Sequence, residues 1–315
     1  MNAVVCLLGY ELLLLLIGPT VLTRLTRGGQ APRAGVAAWL IAIVSAVLTW
    51  LAVAALVVLD VIVHWGSPES SLVVSCLAVL CGLAAGQAGS GPQLAVLVAI
   101  AVAVAAIVIA GVRLLLTISR FRGRASRHRE AIRLVGRRTV SRDVFVVEAA
   151  ERAAYCVAGR PSTIVVTSSA VAALDDQELS AVIAHERAHL AGHHLTVMTL
   201  LRGLAAVLPH VTLISRGAQE VGRLLEMCAD DAAARDHGHR ALLDGLLALV
   251  AGAPAAALGA ADVAVLQRAQ RLATPTAHRV RLWSSAALAS ASTLIVLAPV
   301  AVVSLGAAGI WLCRG

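Results

Sequence analysis

The stretch Asp175–Leu190 reads DDQELSAVIAHERAHL. Asp175 and Glu178 have the spacing of a capping box, and Leu179, Val182, Ile183 and Leu190 follow at helical intervals. The pattern predicts a helix that starts near Asp176 and runs past His189. On such a helix His185 and His189, four apart, project from one face and can aim two imidazoles at a single ion. Glu186, one residue past the first histidine, leans to the side where a water activated by that ion would lie, and there it can take the water's proton. A chain of this composition gives about 0.01 HExxH matches by chance.

A catalytic zinc needs three protein ligands and one open position. The extended motif with a third histidine nearly occurs: Gly192 is in place, but Leu195 stands where the histidine should be. His193 stays open as a ligand, although a continuous helix would carry it about 6 Å further along the axis. The other solution is a carboxylate from a later helix. Glu226-Met227-Cys228-Ala229-Asp230-Asp231 fits, on a helix with the apolar face Val221, Leu224, Leu225 and Cys228. Glu226 and Asp230 share a face; the first can ligate while the second accepts the N–H of a ligating histidine. Before the motif, Val144–Val147, Ala153–Val157 and Thr163–Thr167 are rich in branched or aromatic residues. Gly159-Arg160-Pro161 separates the last two, so a small antiparallel meander is expected. Peptide hydrolysis also needs a donor for the tetrahedral oxyanion; Tyr155, His237, His239 and Arg279 are candidates.

The rest of the chain is apolar. Of 315 residues 59% are hydrophobic and 14% charged, against about 45–50% and about 25% in soluble domains. The mean hydropathy of +0.85 excludes a soluble domain, a disordered chain or a small disulfide scaffold. Residues 3–22, 36–64, 94–116 and 286–312 are each long enough to span a bilayer. The 71–86 stretch is short and laced with Gly and Ser, and is read as loop. All 26 basic residues are arginine, and their placement sets an orientation. Arg24, Arg27 and Arg33 follow span one, residues 65–93 carry none, and nine arginines lie between Arg120 and Arg142. The N-terminus and the short tail are therefore expected outside and 117–285 in the cytoplasm. The domains read 1–116 (three spans), 117–285 (peptidase) and 286–315 (last span and tail). The arginine run suits anionic headgroups better than nucleic acid, because no aromatic platform is interleaved with it. Glu11 within span one should face other helices, and Asp60 and His64 can pair. The cysteines form no CxxC pair; Cys76 and Cys81 could bridge, though free thiols fit better. Residues 195–214 are apolar, yet one crossing there would separate His185 from Glu226. A packed hairpin broken at Pro209, or a re-entrant element, is expected instead.

The succession AAYCVAGRPSTIVVTSSAVAALDDQELSAVIAHERAHL followed by EMCADDAAA resembles the membrane zinc metallopeptidases of the beta-lactam-sensing antirepressor family (BlaR/MecR type). It is more distantly similar to HtpX-like peptidases. The resemblance covers roughly residues 140–285. It implies a mainly α, polytopic membrane protein with about four transmembrane helices and a cytoplasmic HExxH zinc-peptidase domain of helices plus a small sheet. It implies one Zn2+ per chain held by His185, His189 and Glu226, with Glu186 as general base and acid and Asp230 behind a ligand. It further implies that the strand Thr163, Ile164, Val165, Val166, Thr167 takes up substrate as an added strand. The implied substrate is a cytoplasmic protein, a transcriptional repressor of the BlaI type, at the inner membrane. The alternatives are HtpX-like quality control and an inactive signalling module. Sensor members carry a penicillin-binding domain after the last span; few residues follow Trp311 here, so a signal is expected through 65–93, the spans or a partner. No direct nucleic-acid partner is expected, and the oligomeric state stays open, a homodimer included.

Overall fold

The computed structural model describes residues 3–63, 91–159, 161–251, 260–274 and 277–312. The 71–86 stretch, Cys76, Cys81 and His64 lie outside them. The described elements begin with α1 (Ala3–Thr26), α2 (Pro32–Val63) and α3 (Gly91–Val135). The strands β1 (Arg137–Arg138), β2 (Val144–Val147), β3 (Ala154–Val157) and β4 (Thr163–Thr167) follow, then the short α4 (Ser168–Ala173). The chain continues through α5 (Asp176–Ala191), α6 (His194–Val207), α7 (Thr212–His237) and α8 (His239–Val250). It closes with α9 (Ala260–Ala273) and α10 (His278–Leu312).

The protein is mostly helical, with one small mixed sheet. Among the described residues, four helices are long and apolar enough to cross a membrane, over Val4–Thr26, Pro32–Leu59, Ala101–Val135 and His278–Ser304. They fall on the four expected spans, and α3 and α10 run on beyond the apolar stretch. Arg120 to Arg133 continue the third span as one helix of 45 residues, about 68 Å long at 1.5 Å per residue. The boundary expected at 116 therefore falls inside a rigid rod, because nothing in LLLTISRFRGRASRHREAIRLV breaks helical backbone.

The expected antiparallel meander is corrected by the strand order β1-β2-β4-β3. β3 and β4 form the antiparallel hairpin that Gly159 and Pro161 signal, but β2 pairs with β4 in parallel, Val144 opposite Ile164 and Val147 opposite Thr167. The physical reason is burial. Every residue of TIVVT is buried, and a strand covered on both faces is best placed inside the sheet, where neighbours on both edges satisfy its backbone. Ile132 of α3 packs on one side of the sheet with Phe145, Val157 and Val165. Leu179, Ile183 and Leu190 of α5 pack on the other with Val144, Ile164 and Val166.

The segment 195–214 is the expected hairpin, α6 and the start of α7 joined by Leu208–Val211. Its tip enters the bundle of spans. Leu213, Ile214, Ala218 and Val221 share one core with Leu14 and Leu22 of α1, Trp39 and Ile43 of α2, and Leu288 of α10. The segment after the sheet and the spans thus bury one hydrophobic core in common. Gly203 of α6 lies against Leu114 and Ile118 of α3. Glu11 is buried within α1, facing helices as expected.

Helices approach closely in this core at Gly217, where a Cβ would stand 2.8 Å from Ile43 Cδ1 and 3.2 Å from the Trp39 ring. Gly217→Leu should therefore cost about 1–3 kcal/mol by overpacking, read as a lower unfolding midpoint in detergent. Gly9→Leu, at a position with nothing within 4 Å, should leave that midpoint unchanged.

Candidate metal centre

The capping box forms as read. The Asp175 carboxylate accepts the Gln177 and Glu178 backbone N–H groups at 2.9 and 2.8 Å, and the Glu178 carboxylate accepts that of Asp175 at 2.9 Å. This fixes where α5 begins and hence which face carries His185 and His189. Against that helix lies α7, and the small side chains Ala181, Ala184, Ala233 and Ala234 pack where the two come together. Small residues let helix axes approach closely, so Glu226 can reach both imidazoles.

His185 Nε2 and His189 Nε2 are 3.1 Å apart. Glu226 Oε2 is 3.4 Å from the first and Oε1 is 3.5 Å from the second. Among the described residues, His185, His189 and Glu226 form the one cluster whose donor atoms all lie within 4.8 Å of one another. Zinc with bonds of about 2.0–2.2 Å sets neighbouring tetrahedral donors roughly 3.3 Å apart. The three separations fit that ion, and two imidazoles with one carboxylate are a donor set it prefers.

The outer nitrogens are held as well. His185 Nδ1 stands 3.1 Å from Asp230 Oδ1, in ion-pair reach though off the line of a well-aligned hydrogen bond. Asp230 is fully buried and is gripped by Arg268, whose Nε and Nη2 donate to its two oxygens at 2.8 and 2.7 Å. Arg268 Nη1 also reaches Glu226 Oε2 at 3.3 Å. His189 Nδ1 meets His194 Nδ1 at 2.9 Å.

The charges follow from these contacts. Burial works against an ionised Glu226, yet His185, His189 and Arg268 outweigh it and hold the carboxyl well below the usual range. The same balance, with Arg268 and His185 opposing burial, keeps Asp230 low. Burial also disfavours a charged His185 ring, but Asp230 and Glu226 raise its pKa to about 9. Burial pushes the Glu186 carboxyl up, against the pull of the two imidazoles. A carboxylate displaced toward neutrality is a better base for water. Cys156 of β3 stands beside Glu186, and burial holds its thiol up.

Other candidates lie elsewhere. His193 adopts a left-handed backbone (φ 52°) between α5 and α6 and is exposed; the helix does not continue, so it is no ligand. Tyr155 donates to or accepts from His128 Nε2 at 3.1 Å and packs with Ile132 and Phe145, on the sheet face away from α5. His237, His239 and Arg279 are exposed at helix ends. Thr163–Thr167 is paired on both edges and so has no edge to offer an added strand; the outer strands are β1 and β3, and β3 is the one beside it. Sequence reasoning missed Arg268, which has no local signal beyond the need of a buried Asp230 for a cation. It also missed His194, for which Gly192 as a helix stop was the available clue.

Residues 120–270 match the model of Peptidase family M48. The matched stretch runs from the end of the third span through the sheet, α5 and α7 to Arg268. It supports a membrane-type metallopeptidase of that family. No curated protein and no solved structure gives a significant match.

Arg268→Met strands the Asp230 carboxylate in the interior and should lower stability by about 3–5 kcal/mol. Adding Asp230→Asn should recover part of this loss, since the fully buried carboxylate is then neutral. Unfolding of the four metal-free proteins of this cycle in detergent measures both effects.

Proposed function

We propose that this chain is an integral membrane zinc metalloendopeptidase. The observation that carries the reading is the convergence of His185, His189 and Glu226 within 4.8 Å, with Glu186 on the same helix beside them. Zinc would be held by those three residues and would supply a Lewis acid that acidifies water and polarises a peptide carbonyl. Glu186 takes the proton from the attacking water and passes it to the amine that leaves, so one carboxylate serves first as base and then as acid. Its raised proton affinity suits both transfers. Asp230 and Arg268 keep the His185 ring in the tautomer that turns Nε2 to the ion. Arg268 also holds Glu226, so the carboxylate does not swing away from the imidazoles.

Substrate docking is assigned to the free edge of β3. An extended peptide pairing with Ala154–Val157 would run along α5 and bring its backbone past Glu186, which Cys156 of that strand already touches. The Arg120–Arg142 run supports a cytoplasmic site, with both termini on the far side of a bacterial-type inner membrane. A cytoplasmic repressor of the BlaI type is the substrate favoured by the family resemblance. The second reading, cleavage of membrane proteins in quality control, is favoured by the shared core, which holds the site against the spans.

The purified protein should carry one zinc per chain by elemental analysis. Glu186→Gln should keep that zinc and lose cleavage of a protein substrate by a factor of about 100 or more, the scale of general acid–base catalysis. Retained cleavage by the variant in a protease-free preparation would exclude Glu186 from the chemistry.

A further inference from the structure

His189 has two ring nitrogens with different neighbours. Nε2 faces His185 and Glu226, and Nδ1 faces His194 Nδ1 at 2.9 Å. The rings of His189 and His194 meet edge to face at 86°, their centroids 4.9 Å apart, so a nitrogen lone pair rather than a stacked face meets the N–H. His194 approaches from behind the ligand and is buried. We propose that His194 is a positioning residue for His189. In its neutral form with the proton on Nε2, it accepts the Nδ1–H of His189 and fixes the tautomer that leaves His189 Nε2 free for zinc. The proposal rests on the zinc reading above and assigns its ligand His189 a partner equivalent to Asp230 behind His185.

The backbone is shaped for this contact. α5 ends at Ala191, His193 takes the left-handed conformation, and α6 leaves at 60° to α5. That bend returns residue 194 toward residue 189, which a straight helix would separate by more than a full turn. The returning ring then lies over the Cα of Gly192, where a Cβ would stand 2.3 Å from His194 Nε2 and 2.6 Å from Cδ2. Gly192 itself has φ −80°, so alanine is allowed by its backbone; the imidazole is the main obstacle, with Ala188 O at 3.2 Å a lesser one. The glycine makes room for the histidine. A buried histidine kept merely to fill space would not need its neighbour's side chain removed.

The two ligands are thereby supported unequally. His185 is backed by a carboxylate that Arg268 clamps; His189 is backed by a neutral ring with one lone pair. Loss of an outer hydrogen bond of this kind weakens metal binding about 10- to 100-fold.

The test compares zinc dissociation constants, by chelator competition, for the full-length protein in detergent and its variants His194→Phe, His194→Asn and Gly192→Ala. Asparagine places an acceptor oxygen where His194 holds Nδ1; phenylalanine fills the space without one. His194→Phe and Gly192→Ala should each weaken zinc about 10- to 100-fold, and His194→Asn should stay near the parent. The visible spectrum of the cobalt-loaded protein should shift in the first two variants and not in the third. Equal losses in His194→Phe and His194→Asn would make the residue a packing element and overturn the proposal, as would parent-like affinity in His194→Phe. If His194→Phe does not fold, Gly192→Ala decides alone, since it displaces the ring and keeps every polar group. A parent protein that binds no zinc would instead bring down the metallopeptidase reading itself, an outcome separate from any difference among variants.

Discussion

An imidazole is oriented for a metal by what holds its other nitrogen, and both candidate histidines here have a partner at that nitrogen. His185 is held through Asp230 and Arg268, and His189 has His194 at its rear nitrogen. Arg268 carries the largest electrostatic load, since it compensates a fully buried aspartate and touches the ligand glutamate as well. Without it, the fully buried Asp230 carboxylate would lose its only cationic partner among the described residues apart from His185. The close packing of α5 on α7 through alanines is the steric half of the same arrangement. It brings the two helices near enough for short side chains to meet, and it leaves little slack for the donors to drift apart.

What the sequence disclosed and what it withheld divide along a physical line. The helix of the HExxH motif was legible because its signals are local: a capping box at Asp175, apolar residues at helical spacing, two histidines one turn apart. The four long apolar helices were legible because the bilayer imposes a length. Glu226 could be reached from chemistry, which demands a third donor on a face also carrying an acid for the first histidine. The sheet order was not legible, because short strands and a six-residue link between β2 and β3 allow more than one path. Burial of TIVVT chose the path that places β4 in the middle, which moved the free edge to β3. Arg268 looks in sequence like any arginine on an amphipathic helix. Tyr155 was misread for a related reason: alternation puts it and Cys156 on opposite faces, and only the packing of α3 against one of them says which faces the centre.

The division into a membrane part and a peptidase part describes the chain order better than the packing. Leu213 and Ile214 are buried among residues of the first two spans, and Met227, one residue past Glu226, belongs to that same cluster. A single continuous helix carries the third span past the membrane-length stretch to Ile132, whose side chain supports the sheet. A fragment cut at residue 117 would therefore expose the face of α7 that the spans cover.

α6 begins at His194 and further along rests against Leu114 and Ile118 of the third span. It is a short strut with one end on the wall of the bundle and the other on the ring behind His189. A tilt of that span must either carry the strut with it or open a void beside Gly203, and voids are costly in a close-packed interior. The same fourteen-residue helix therefore joins the third span to the ring behind His189 by direct packing.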